Sequence, residues 1–229
     1  MAKFELAIKG LLEEEGGDII TNDPSDAGGL THWGVTWADF KEHGADLDGD
    51  GDIDTNDLRV MKEGQAEDFY NKNYWDEMHL DDMKSQAVAT KVLSNGVNLG
   101  TGAIGKLLQR AVGVTVDGQI GNHTIAAANA FGDVELMDKL VAAQTDYYWT
   151  ITIGNINKKG PLTKSQGGLG WTTDWIVRAS AACAKRDTTT LKIIENEIYV
   201  AAKAGKPVIP GNIRFIRGWL NRATLRYGI

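Results

Sequence analysis

From residue 85 onward the sequence falls into seven stretches with helical patterning: 85–97, 101–112, 122–131, 134–155, 172–184, 188–203 and 212–227. A repeat of this period leaves helices packed on helices as the architecture, because strands need apolar residues at every second position. The expected fold class is therefore mainly α. Upstream, Phe4, Ile8, Leu11 and Leu12 recur at helical spacing until Gly16-Gly17 stops them, which sets Glu15 at the end of a short amphipathic helix. Residues 18–35 turn to Asn, Asp, Pro, Gly and Thr, suited to an irregular or hairpin-like segment. The strand candidates, around 18–21 and 34–36, suffice for one small hairpin at most. Thr36 can cap a short helix running to about His43, and a longer amphipathic stretch covers about 55–75 after an Asp-rich loop.

With 229 residues, of which 42% are hydrophobic and 24% charged, the chain can build a real core, and no tract is long or biased enough for a disordered linker. The glycine-rich stretch 160–170 reads as a flexible loop. Charge is uneven: residues 1–84 hold 22 acidic and 7 basic side chains (−15), and residues 85–229 hold 9 and 17 (+8). Halves of opposite sign attract each other and offer different faces to a partner. Lys3, Glu5 and Lys9 interrupt the apolar start, so no secretory signal is expected, and no apolar run reaches the roughly 18 residues of a membrane span. The expectation is synthesis in the cytoplasm without stable membrane insertion. Cys183 has no partner for an internal disulfide and reads as a buried small hydrophobe. Histidines 32, 43, 79 and 123 show no zinc-ligand spacing, which argues against a zinc amidase.

One dense polar cluster joins Glu15-Gly16-Gly17, Asp23, Asp26, Gly28-Gly29 and Thr31, followed by His32-Trp33-Gly34-Val35. Glycosidic cleavage needs a carboxylic acid to protonate the leaving oxygen and a second polar group to manage water or the oxocarbenium-like charge. This cluster contains both kinds of group. A glutamate at a helix end, partly shielded from water, can stay protonated near neutrality. By residue type alone, however, a solvated acidic loop is the simpler reading.

The order of motifs adds to this. Glu15-Gly16-Gly17, Asn22-Asp23-Pro24-x-Asp26-x-Gly28-Gly29-x-Thr31 and Gly34-Val35-Thr36 resemble the N-terminal signature of glycoside hydrolase family 108. Asp68-Phe69-Tyr70, Tyr74-Trp75-Asp76, Gly96-Val97-Asn98-x-Gly100, 107–114, Asp117-Gly118-x-Ile120-Gly121 and Phe215-Ile216-x-Gly218-Trp219-x-x-Arg222 continue the resemblance into that family's peptidoglycan-binding-like half. The family comprises phage endolysins, prophage lysozymes and related muramidases. The resemblance implies a lysozyme-like helical fold that hydrolyses the β-1,4 bond between N-acetylmuramic acid and N-acetylglucosamine. It also implies Glu15 as the catalytic acid. A helix turns about 100° per residue, so only one of Glu13, Glu14 and Glu15 points into a cleft, and the motif selects the last. The second catalytic group is left among Asp23, Asp26 and Thr31. Asp26 is the first choice, because the following glycines let backbone approach a sugar, whereas Asp23 before Pro24 can instead cap a turn. On this basis residues 1–84 form the catalytic part and 85–229 a helical peptidoglycan-binding-like part, packed as one globular unit.

Between these motifs lies Asp46-Leu-Asp48-Gly-Asp50-Gly51-Asp52-Ile53-Asp54-x-x-Asp57, which fits a twelve-residue EF-hand loop. Side chains of Asp46, Asp48, Asp50 and Asp57, the Asp52 carbonyl and Asp54 through water would ligate Ca2+. Aspartate at the last position resembles dockerin loops. The loop departs from the usual family pattern as an insertion, so calcium is expected to control stability or activity.

Among the remaining candidates, Asn98 can bond an N-acetyl group and Trp33 can stack on a sugar, although most of the tryptophans read as core. Asp117-Gly118 reads as a turn before a helix. Arg214, Arg217, Arg222 and Arg226 form a basic tail that suits packing or an anionic surface. The expected partner of a monomeric protein is peptidoglycan, with no nucleic acid, reached through a holin or similar pore. Two other readings share these residues: a lytic transglycosylase, and a non-catalytic calcium-dependent wall-binding module.

Overall fold

The computed structural model describes residues 1–14, 17–22 and 29–159. Glu15, Asp23 and Asp26, together with the expected helices 172–184, 188–203 and 212–227, Cys183 and the basic tail, lie outside the described residues. Eight α-helices and three short strands make up what is described, so the mainly α expectation holds. The chain divides into two compact units, one of residues 1–109 and 113–131, the other of 110–112 and 132–229.

The first unit begins with α1 (Phe4–Glu14). Its Ala7, Ile8, Leu11 and Leu12 are buried, as the helical period requires. Strands β1 (Thr21–Asn22), β2 (Leu30–His32) and β3 (Val35–Thr36) form an antiparallel sheet in that order. Its middle strand, β2, was not apparent from the sequence. β2 and β3 are joined through Trp33 and Gly34, with His32 paired to Val35. Both turn residues have positive φ, 53° and 77°, the geometry of a type I′ hairpin turn. Such a turn matches the twist of its strands but is unusual for tryptophan, whose Cβ crowds the backbone there.

Thr36 caps α2 (Trp37–His43) by accepting the Asp39 N–H, as expected. The stretch 55–75, expected as one helix, is divided into α3 (Thr55–Val60), α4 (Glu63–Tyr70) and a π-helical turn (Asn71–Asp76). Met61 breaks it in an extended conformation, ψ 134°. Two bonds hold the break: a local one in which the Lys62 N–H donates to Gln65 Oε1 at the start of α4, and one from outside in which the Trp33 indole donates to the Met61 carbonyl. Local propensity favours continuation, and tertiary partners override it.

A core of aromatic and aliphatic side chains fills this unit, with Trp75, Tyr70, Phe40, Leu58 and Leu93 fully enclosed. Trp75 meets Phe4 edge-on at 5.7 Å and donates its indole N–H to Asp81, so it is core and not a sugar platform. Ser85 caps α5 (Gln86–Leu99), and α6 (Thr101–Val112) runs over the residues its periodicity predicts. The Asp117-Gly118 turn precedes α7 (Asn122–Ala128). Buried Gln109 organises this turn, donating to Asp117 and the Gln119 carbonyl and accepting the Gly118 N–H. In the second unit, besides 110–112 and 132, the described part is α8 (Asp133–Lys159), with a Glu135–Lys139 ion pair one turn apart. Among the described residues no helix is long and apolar enough to cross a membrane.

Candidate functional site

α1 ends at Glu14, and the chain turns back at once: the Gly17 N–H donates to the Leu12 carbonyl at 2.9 Å, with Gly17 at φ 61°. Glycine tolerates that backbone without a Cβ clash. A groove of about 360 Å³ is lined by residues of α1, among them Ile8, Leu12 and Glu13, together with Gly17, Trp33 and Glu67.

Thr31 sits in the middle of β2, paired with Thr21 and Thr36. Leu30 and His32 point into the core, so alternation turns Thr31 to the opposite, half-exposed face. Trp33 lines the groove; its indole N–H is committed to Met61, and its ring lies 5.8 Å from that of His32. The Tyr70 hydroxyl donates to the Trp33 carbonyl and steadies the turn. Asn98 lies in the last turn of α5, where its amide donates to the Ser94 carbonyl. Sequence reasoning missed Asp18, whose carboxylate lies 2.9 Å from the buried His32 ring. No local pattern marks a pair 14 residues apart.

The acidic loop precedes α3. Gly49 and Gly51 take positive φ, and Asp46 accepts their N–H groups, one on each carboxylate oxygen. Asp57 is fully buried: Oδ1 accepts from Leu47 and Asp48, and Oδ2 from Asp54. Asp57 also completes a capping box with Asp54 at the start of α3. Two carboxylate groups result, Asp46–Asp48–Asp50 and Asp52–Asp54–Asp57, each with oxygens within 4.8 Å of one another. Loss of hydration, with repulsion from Asp50, Asp57 and Asp46, holds Asp48 above the ordinary carboxylate range. Repulsion from Asp50 does the same for Asp52. Asp57 is held below it, first by the Asp54 N–H and then by those of Asp48 and Leu47.

This layout, a glutamate-bearing helix end beside a small sheet and a groove, is compatible with glycan cleavage. Residues 8–100 match the sequence model of the glycosyl hydrolase 108 family, and residues 104–224 match that of the Predicted Peptidoglycan domain. Residues 8–100 belong to glycosyl hydrolase family 108. The chain's catalytic-family segment and its peptidoglycan domain follow one another with three residues between them. This glycosyl hydrolase 108 protein is accordingly a glycoside hydrolase that acts on peptidoglycan. Its fold is similar to that in the structure of Brucella abortus SagA, with a TM-score of 0.59 and 28% identity over 81% of this chain and 97% of that one. No curated protein matches the sequence. The Asp46–Asp57 loop lies within the matched hydrolase segment.

Proposed function

We propose that this protein is an N-acetylmuramidase that cleaves the β-1,4 bond between N-acetylmuramic acid and N-acetylglucosamine, with Glu15 as general acid. The observation that carries this reading is the groove bounded by Glu13, Gly17 and Trp33, at the helix end where the family's glutamate belongs. A sugar lying along it would meet the Trp33 ring. Glu15 would protonate the departing glycosidic oxygen, while Asp26, with Asp23 as the alternative, balances positive charge on the sugar or activates water. Thr31, half-exposed on β2, would hold that water by its hydroxyl. The test is digestion of purified peptidoglycan followed by mass spectrometry. Reducing muramic acid ends are expected, whereas anhydro ends would indicate transglycosylation. Glu15→Gln should keep the fold and lose several orders of magnitude in rate, because an amide has no proton to give. A folded Glu15→Gln protein with near-normal lysis would refute the assignment and leave a wall-binding role.

The same reading includes one Ca2+ at the acidic loop. The donors are all oxygen, which suits a hard cation. They would be the carboxylates of Asp46, Asp48, Asp50 and Asp57 and the Asp52 carbonyl, with Asp54 acting through water. Asp57 Oδ2 accepts one amide where Oδ1 accepts two, so Oδ2 has the lone pair for an ion. Binding would relieve the repulsion that lifts Asp48 and Asp52. Calorimetric titration of chelator-treated protein tests it, and no heat at millimolar calcium would refute it.

A further inference from the structure

We infer that Thr21 is a second holder of the attacking water, acting together with Thr31 across the β1–β2 pair. The inference rests on the reading of Thr31 as the residue that holds this water. Thr21 stands directly opposite Thr31 in the antiparallel register, and Thr36 stands opposite Thr31 on its other side. Residues opposite one another in neighbouring strands place their side chains on the same face of the sheet. Leu30, His32 and Val35 are buried, so alternation turns the other face outward, and the three threonines form a row across it.

The three hydroxyls are not equivalent. Thr36 accepts the Asp39 N–H at 3.3 Å and is spent on the cap of α2. Among the described residues, no group is bonded to the hydroxyl of Thr21 or Thr31. Thr21 is exposed and Thr31 half-exposed, so water reaches both. Opposite Cβ atoms in such a pair lie about 4.5–5.5 Å apart. One water making two hydrogen bonds of about 2.8 Å spans a similar distance between its partners, so a single water bridges the pair. Threonine is stiff at χ1, and both strands are held through their backbones, so the two oxygens are fixed before the water arrives.

The chemistry of the water explains why two holders serve better than one. A water has two hydrogens and two lone pairs. In hydrolysis one lone pair forms the bond to the anomeric carbon as that carbon's bond to the glycosidic oxygen breaks. One hydrogen passes to the carboxylate base, and the departing oxygen takes the proton of the acid. One hydrogen and one lone pair remain. A threonine hydroxyl can accept the first and another can donate to the second, which fills every position on the water. With a single holder the water swings about one bond. The C6 hydroxyl of the same muramic acid residue then competes for the anomeric carbon, gives its proton to the same base and leaves an anhydro end.

The experiment compares full-length wild type, Thr21→Val, Thr21→Ser, Thr31→Val and the Thr21→Val/Thr31→Val double variant. kcat and KM are measured on soluble glycan fragments, product ends by mass spectrometry and the fold by thermal melting. Valine keeps the shape and strand preference of threonine and removes the hydroxyl. Thr21→Val should lower kcat by about tenfold with KM within about twofold, the cost of a misplaced reacting group, and should raise the share of anhydro ends. Thr21→Ser should recover most of the rate and the product ratio. The double variant should be within about twofold of Thr31→Val, because both hydroxyls act on one water, whereas independent contacts would multiply to about a hundredfold. A folded Thr21→Val protein with wild-type kcat and products beside an impaired Thr31→Val would overturn the inference and leave the reading of Thr31 standing. A hundredfold loss in the double variant would overturn the shared water. Wild-type kcat in folded Thr31→Val would overturn both, as would anhydro ends as the main product of the wild type.

Discussion

Gly105→Ala should destabilise the protein by about 2 kcal/mol, although alanine is the better helix former. Gly105 lies on α6, and a Cβ there would stand 2.8 Å from the carbonyl carbon and 3.3 Å from the Cα of Gly118. Those atoms are backbone, so no side chain can rotate away, and the turn itself would have to move. Gln109 holds that turn by accepting the Gly118 N–H at 2.8 Å and donating to the Gln119 carbonyl at 2.9 Å. Overpacking of this kind costs about 1–3 kcal/mol, and a stretched buried hydrogen bond adds about 1. Gain in helix propensity returns about 1 kcal/mol. Gly10 on α1 supplies the control, since a Cβ there meets no atom within 4 Å and only the propensity gain of up to about 1 kcal/mol remains. Urea unfolding of the two variants and wild type, followed by circular dichroism, gives midpoints at a shared slope. The reasoning fails if Gly105→Ala is as stable as wild type or shifts in the same direction as Gly10→Ala.

Three further outcomes are expected. Thr31→Ala should reduce lysis by about tenfold or more while leaving the melting temperature nearly unchanged, because the side chain is half-exposed and β2 pairs through backbone; a turbidity assay and a melt check this. Asp46→Ala combined with Asp50→Ala should abolish any calcium-induced rise in melting temperature, which at a hundredfold excess over Kd corresponds to about 2.7 kcal/mol in the unaltered protein. The Asp117 carboxyl is held below its ordinary value of 3.8 by the Gln119 N–H and then by Gln109, so its stabilising contribution is present above that value and is lost as pH falls through the lower folded one. Asp117→Asn should flatten that acid limb in urea midpoints measured from neutral pH downward.

Much of the fold follows from local rules that can be read along the chain. The stop of α1 before Gly16-Gly17, the Thr36 cap and the bounds of α6 all depend on residues within a turn of one another. What could not be read depends on distant partners. The break at Met61 is fixed by Trp33, 28 residues away, and Trp33 holds its left-handed backbone with help from Tyr70, 37 residues away. The gathering of carboxylates in the acidic loop was legible, but the amides gathered by Asp57 were not, because a spacing pattern does not say which groups a carboxylate already satisfies. The proposed catalytic carboxylates, Glu15, Asp23 and Asp26, come from the motif alone and lie outside the described residues.

α3 is six residues long, too short to persist on its own in water. It begins at the capping box of the acidic loop and ends under two side chains of the β2–β3 hairpin. Such a helix has no independent melting; it opens when either neighbour opens, so loop, helix and hairpin should exchange their amide hydrogens as one cooperative unit. An ion captured at the loop would then slow exchange at His32 and Val35, residues it never touches, and protection factors along 31–36 would register occupancy of a site at the other end of the helix.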